Sequence, residues 1–126
     1  MISQIDNIGI ATHDRTRSVD FYQKLGFAKA FENERGCLLV AGKGRLFVFD
    51  ASADRIDVQR SFELTDNPPG IDHVSFLVDD VDFAYAEAVS RGIKFESAPA
   101  DQAWGARAAM VRDPDGNNLY LLKWLR

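Results

Sequence analysis

A chain of 126 residues, 46% hydrophobic and 27% charged, suits one compact domain with a modest core. Its net charge of −4 argues against a nucleic-acid footprint, which needs a basic stripe, and its single cysteine excludes an internal disulfide. No apolar run approaches the roughly 20 residues of a membrane helix, and the start "MISQIDNIGI" lacks the basic and apolar regions of a signal peptide. A soluble, cytoplasmic protein with neither nucleic acid nor membrane as partner is expected, and the acidic balance suits a neutral or cationic small ligand.

The first strand falls in "IDNIGIATHD", residues 5–14, and its closing Asp14 is a good helix N-cap. A helix follows with Phe21, Tyr22 and Leu25 on its apolar side, stopping at Gly26, where glycine takes the left-handed conformation that closes a helix. Three strands are predicted at about 27–32, 36–41 and 45–50, with turn signals "NERG" and "GKG" between them. Cys37, in the apolar run "GCLLVAG", reads as a buried structural thiol. The polar stretch 51–70, with its Pro68-Pro69-Gly70 stop, reads as a linker.

The pattern then starts again. "IDHVSFLVDD" at 71–80 aligns with 5–14 at an offset of 66, and Asp80 takes the place of Asp14. Val81, Ala84, Tyr85 and Ala88 form the apolar stripe of a second helix, which ends at Gly92, again 66 residues on. Strands are predicted at about 93–97, 106–112 and 117–124. The last two are joined by "DPDGN", in which Pro114 presets φ, Gly116 accepts positive φ, and the acids are expected to face solvent. "RLFVFD" matches "NLYLLK", which makes Phe47 the counterpart of Tyr120.

Two copies of β-α-β-β-β describe an α+β fold: a single domain, 1–126, with module one at about 4–50, a linker at about 51–70 and module two at about 71–124. Neither copy can hide its sheet face alone. Paired modules are expected to form a curved, open, barrel-like sheet with a central ligand cleft.

The duplicated unit, the "IDH" strand, the "FYQKLGF" helix end and the tail "WGARAAMVRDPDGNNLYLL" resemble the vicinal-oxygen-chelate superfamily over residues 4–124. That group holds glyoxalases, extradiol dioxygenases, epimerases and bleomycin-resistance proteins. The resemblance is specific for the fold and weak for the reaction, because one fold hosts many functions. It implies, in catalytic members, one divalent metal held by His, Gln or Glu from the first and last strand of each module. Carried over residue by residue, those positions are Asn7 and Phe47, His73 and Tyr120. Only His73 is a good ligand. Asn7 offers a weak carbonyl oxygen, Phe47 has no donor, and Tyr120 binds metal only when ionised, well below its usual pKa of about 10. Catalytic zinc takes about three protein ligands, so this set falls short.

Other residues do not repair it. His13 shares a strand face with Asn7, but six residues at ~3.3 Å each put it about 20 Å further along. Asp50 is an odd number of residues from Phe47 and so points to the opposite face. No metal or other cofactor is expected from one chain; a site completed across two chains is left open.

The altered floor is aromatic. Phe49 shares a face with Phe47, and Trp104-Gly105 lies in the loop "SAPADQAWGAR", which this fold would hang over the cleft. Aromatic walls suit a flat or cationic ligand by stacking and cation–π contact; equally, Phe47, Phe49 and Tyr120 could simply fill the barrel. The tail resembles bleomycin-resistance proteins, which lack the metal and sequester a drug, usually at a dimer interface. The leading expectation is therefore a homodimeric antibiotic-resistance-type protein sequestering an aromatic or cationic organic compound without metal. Its candidate ligand-binding residues are Asn7, Phe47, Phe49, His73, Trp104 and Tyr120. The alternative is a metal-dependent lyase, isomerase or dioxygenase of the same superfamily, with His73 as the candidate catalytic base. A third reading is an interaction module with a filled cleft. Strand parity leaves open whether Arg107 reaches the cleft or the outer face.

Overall fold

In the computed structural model, which describes residues 1–54 and 58–126, the chain divides into two compact units, Met1–Ile56 and Asp57–Arg126. Each is one β-α-β-β-β copy. The first runs β1 (Ile8–Thr12), α1 (Arg15–Lys24), β2 (Ala28–Asn33), β3 (Gly36–Ala41) and β4 (Gly44–Asp50). The second runs β5 (His73–Leu77), α2 (Val81–Ser90), β6 (Ser97–Asp101), β7 (Ala106–Arg112) and β8 (Asn118–Trp124).

Each unit folds into an open four-stranded mixed sheet, with strand orders β1-β4-β3-β2 and β5-β8-β7-β6. The pairing repeats as the sequence does. The first strand lies parallel to the last, and the other three form an antiparallel meander. The expected α+β class with two tandem modules is therefore what the chain forms.

Both helices begin as the sequence predicts. Asp14 accepts a hydrogen bond from the Arg17 backbone N–H at 3.1 Å and Asp80 one from Phe83 at 3.0 Å, each satisfying an orphan donor of the first turn. Both also end alike, with Gly26 at φ 114° and Gly92 at φ 95°, a region that L side chains rarely enter. Each helix covers one face of its own sheet, α1 against β3 and β4 and α2 against β6, β7 and β8. Between α1 and its sheet lie Val19 and Tyr22 of the helix and Cys37, Leu39, Leu46 and Val48 of the strands, all buried. Burial raises the Cys37 thiol pKa, which fits an inert structural cysteine. Between α2 and its sheet the corresponding layer is Val81 and Ala88 of the helix with Ala109, Val111, Leu119 and Leu121 of the strands.

Three expectations need correcting. The strand placed at 93–97 lies later, at Ser97–Asp101, and a register irregularity between Ser97 and Ala100 accommodates Pro99. Of the supposed linker 51–70, residues 55–57 lie outside the described residues, while 58–70 belong to the second unit. There Arg60, only 8% exposed, donates to the Pro68 and Pro69 carbonyls at 2.7 and 3.3 Å. Asn67 brackets Ser61, accepting from its N–H at 2.8 Å and donating to its carbonyl at 2.9 Å.

The third correction concerns the "DPDG" turn. Asp113 is not a solvent-facing acid but is 4% exposed. Its Oδ1 accepts from the backbone N–H groups of Asp115 (3.0 Å) and Asn117 (2.8 Å), and its Oδ2 from Asn117 Nδ2 (2.8 Å). An Asx turn of this kind uses the carboxylate as an internal acceptor, which sets the approach of β8. Asp113→Ala removes all three acceptor contacts and is expected to cost about 2 kcal/mol, read as a lower urea midpoint at unchanged m-value.

Candidate functional site

Alternation along the second sheet puts His73, Ser75 and Leu77 of β5 on the same face as Tyr120, Leu122 and Trp124 of β8 and Met110 of β7. This is the face α2 does not cover. It floors a cavity of about 980 Å³ whose lining is predominantly apolar and aromatic. Tyr120 and Leu122 pack with the small Ala106 and Ala108 at the bottom, while Leu77 remains 73% exposed at the rim.

Two loops supply the walls. The segment 58–70 brings Phe62 to 5.6 Å from the Tyr120 ring, centroid to centroid, and the Tyr120 hydroxyl donates to the Phe62 carbonyl at 2.9 Å. Arg112 also lies over the Phe62 ring, its guanidinium 4.9 Å from the ring centroid. On the other wall, Gln102–Gly105 forms a turn closed by the Gly105 N–H on the Gln102 carbonyl at 3.0 Å. Gly105, at φ 100°, makes that turn possible, and its carbonyl accepts from the Leu125 N–H at 2.9 Å. The result holds Trp104 6.3 Å from Tyr120 and 5.7 Å from Trp124. Trp104 is 47% exposed and Trp124 53%, so both indole rings keep surface for a ligand.

The structure thus brings together three of the sequence-predicted residues, His73, Trp104 and Tyr120. The His73 ring stacks on Tyr120 at 4.5 Å and 28°. The other three stand in the first unit. Asn7 is exposed ahead of β1 and donates to Asp6 at 2.9 Å. Phe47 and Phe49 lie on the uncovered face of β4, stacked at 6.0 Å. The Phe47 ring covers Gly36 so closely that a Cβ there would come within 2.6 Å of it, and the Phe49 ring lies over Gly9.

His13 sits just past the end of β1, and Asp50 is turned to Arg15, which donates to it at 2.9 Å. Arg107, left open by parity, lies on the helix side of its sheet, bonded to Asp82 of α2 and to Asp101. Those carboxylates raise its pKa further above the ordinary arginine range.

Sequence reasoning missed Phe62, Met110 and Trp124. Trp124 and Met110 were available in principle: one is four residues from Tyr120 on the same strand, and the other is its cross-strand partner. Phe62 had no such signal, since it stands alone in a polar segment.

The donor set at the family's metal positions is poor. Among the described residues no three His, Cys, Asp or Glu side chains gather closely enough to hold an ion. The Tyr120 pKa is raised by desolvation first and by the negative Asp72 second, the direction opposite to that needed for ligation. His73 Nδ1 lies 2.7 Å from Asp72 Oδ1, and hydrogen bonding to His73 lowers the Asp72 pKa. These residues do not fit a divalent metal.

Residues 4–121 match the Glyoxalase/Bleomycin resistance protein/Dioxygenase superfamily, and the chain belongs to it. A curated relative, the uncharacterized protein YraH of Bacillus subtilis, is 42% identical over 53 residues; the match spans about 41% of each chain. Among solved structures, a superfamily member from Sphaerobacter thermophilus is 29% identical at a TM-score of 0.72, covering 96% of this chain and 97% of that one. A bleomycin resistance determinant encoded on the transposon Tn5 is 25% identical at a TM-score of 0.70, with 96% and 98% covered.

Tyr120 yields a prediction of known sign. Its raised pKa keeps the folded state protonated, so this contribution is complete below the unfolded pKa of about 10 and is lost as pH rises through the folded value. Tyr120→Phe leaves the Phe62 carbonyl without its donor and is expected to cost about 1 kcal/mol at neutral pH. The same variant should show a shallower loss of stability above pH ~10, measured by urea denaturation across the alkaline range.

Proposed function

We propose that the cavity of the second unit binds a flat aromatic or cationic organic compound and sequesters it by contact, without a metal and without turnover. The observation that carries this reading is the half-exposed indole pair, Trp104 and Trp124, standing over a floor of Tyr120 and Leu122 with Phe62 as the opposite wall. Such a lining offers large contact area at low entropic cost, and aromatic faces attract a cation. Glu63 at the cavity edge adds a negative charge for a cationic ligand. The poor donor set at His73 and Tyr120 supports binding without an ion. Superfamily membership and the likeness to the Tn5 resistance determinant support a resistance-type role.

A homodimer is part of the same reading. The bare faces of both sheets leave apolar surface, including Phe31 at 49% and Leu77 at 73% exposure, that a second copy would cover. Sedimentation at micromolar concentration should therefore give twice the chain mass.

Two measurements test the binding claim. Titration with a flat aromatic cation such as an acridinium dye should quench indole fluorescence, and Trp104→Ala should weaken binding about tenfold while leaving the melting temperature unchanged. Wild-type affinity retained in that variant would remove the indole wall from the argument. Metal analysis of protein purified without chelators should find substoichiometric Fe, Mn, Zn and Ni; near-stoichiometric metal lost in His73→Ala would replace sequestration with metal chemistry.

A further inference from the structure

Asp72, immediately ahead of β5, turns its two carboxylate oxygens to different partners. Oδ1 lies 2.7 Å from His73 Nδ1. Oδ2 accepts from Asn67 Nδ2 at 2.7 Å and stands 3.7 Å from an Arg60 guanidinium nitrogen. Asn67 is itself fixed by Ser61, and Arg60 by the Pro68 and Pro69 carbonyls, so the Oδ2 side of the carboxylate is surrounded by donors held in place.

A carboxylate offers only acceptors. A neutral imidazole bonded to it must therefore carry its proton on Nδ1, which leaves Nε2 with a lone pair. Asp72 is the one hydrogen-bond partner of the His73 ring among the described residues, and the ring lines the cavity. The hydroxyl of Tyr120 is directed to the Phe62 carbonyl, and that of Ser97 to Met110 Sδ at 3.1 Å. The stacked Tyr120 ring fixes the plane in which Nε2 accepts.

We propose that Asp72 locks His73 as the Nδ1–H tautomer, so that the cavity selects flat ligands presenting an O–H or N–H donor to Nε2. Asp72 is then a positioning residue and His73 the specificity-determining one. The selection rests on the ligand-binding reading above; the tautomer does not.

The decisive variant is Asp72→Asn. Asn67 Nδ2 and Arg60 are both donors, so the new amide must keep its oxygen toward them and turn its NH₂ to His73 Nδ1. That forces the proton onto Nε2 and converts an acceptor into a donor. Long-range 15N–1H correlation spectra, recorded where the imidazole is neutral, should show Nδ1–H for His73 in the wild type and Nε2–H in Asp72→Asn. The wild type should bind 2-naphthol roughly fivefold more tightly than 2-methoxynaphthalene, the worth of one hydrogen bond, and Asp72→Asn should abolish or invert that preference. A purely structural Asp72 would weaken both compounds alike. An Nε2–H wild type, or the same tautomer in both proteins, overturns the assignment. Equal wild-type binding of the two compounds overturns the selection alone, whereas binding of neither overturns the ligand reading and the selection with it.

Discussion

A four-stranded sheet has two faces, and each β-α-β-β-β copy brings a single helix. The helix-covered face can be dry and close-packed, as the fully buried Cys37, Leu39 and Val48 of the first unit and Ala109, Val111 and Leu119 of the second show. The opposite face of each sheet must then be covered by something other than the copy's own helix. In the first unit, aromatic side chains bend over glycines, Phe47 over Gly36 and Phe49 over Gly9. In the second, two loops rise at the edges and leave a hollow between them. The same duplicated architecture thus gives one face lined by its own rings and one that is a cavity.

The cavity joins two kinds of chemistry. Its surface is aromatic and apolar, and behind that surface runs a fully engaged polar network through Arg60, Asn67, Asp72 and Ser61. A buried charge is tolerable only when paired and hydrogen-bonded, and Arg60 meets that condition with two carbonyls and a nearby carboxylate. His73 stands where the two meet, one nitrogen tied to the network and its ring stacked on the aromatic floor. Rigidity behind a wall of large rings is what lets a binding surface act without first being ordered.

How much of this was legible in the sequence depended on whether the signal was local or tertiary. The 66-residue offset, the capping aspartates, the closing glycines and the strands β3, β7 and β8 all declare themselves within a few residues, and they fixed the fold. Strand β6 did not, because "SAPAD" carries a proline and its place is set by pairing with β7 across a register irregularity rather than by its own propensity. Asp113 looked like a surface turn acid because nothing nearby says that its carboxylate will fold back on Asn117. Within the site, the family resemblance reached His73 and Tyr120, and strand parity and pairing from Tyr120 could have reached Trp124 and Met110. Phe62 was invisible, since its position depends on Arg60 and Asn67 anchoring a segment that reads as polar linker.

Tyr120 connects these points. In relatives that hold a metal, the resemblance places an acidic ligand at the equivalent position. Here the phenol donates to the carbonyl of Phe62, and that contact pins the segment 58–70 onto the sheet. An ionised carboxylate has no proton to give, so at this position it would set acceptor against acceptor and drive the segment away. A neutral donor at position 120 therefore favours the placement of the segment that carries Phe62. The phenol of Tyr120 thus does at this position what a carboxylate could not: it donates to the Phe62 carbonyl and holds one wall of the cavity against its floor.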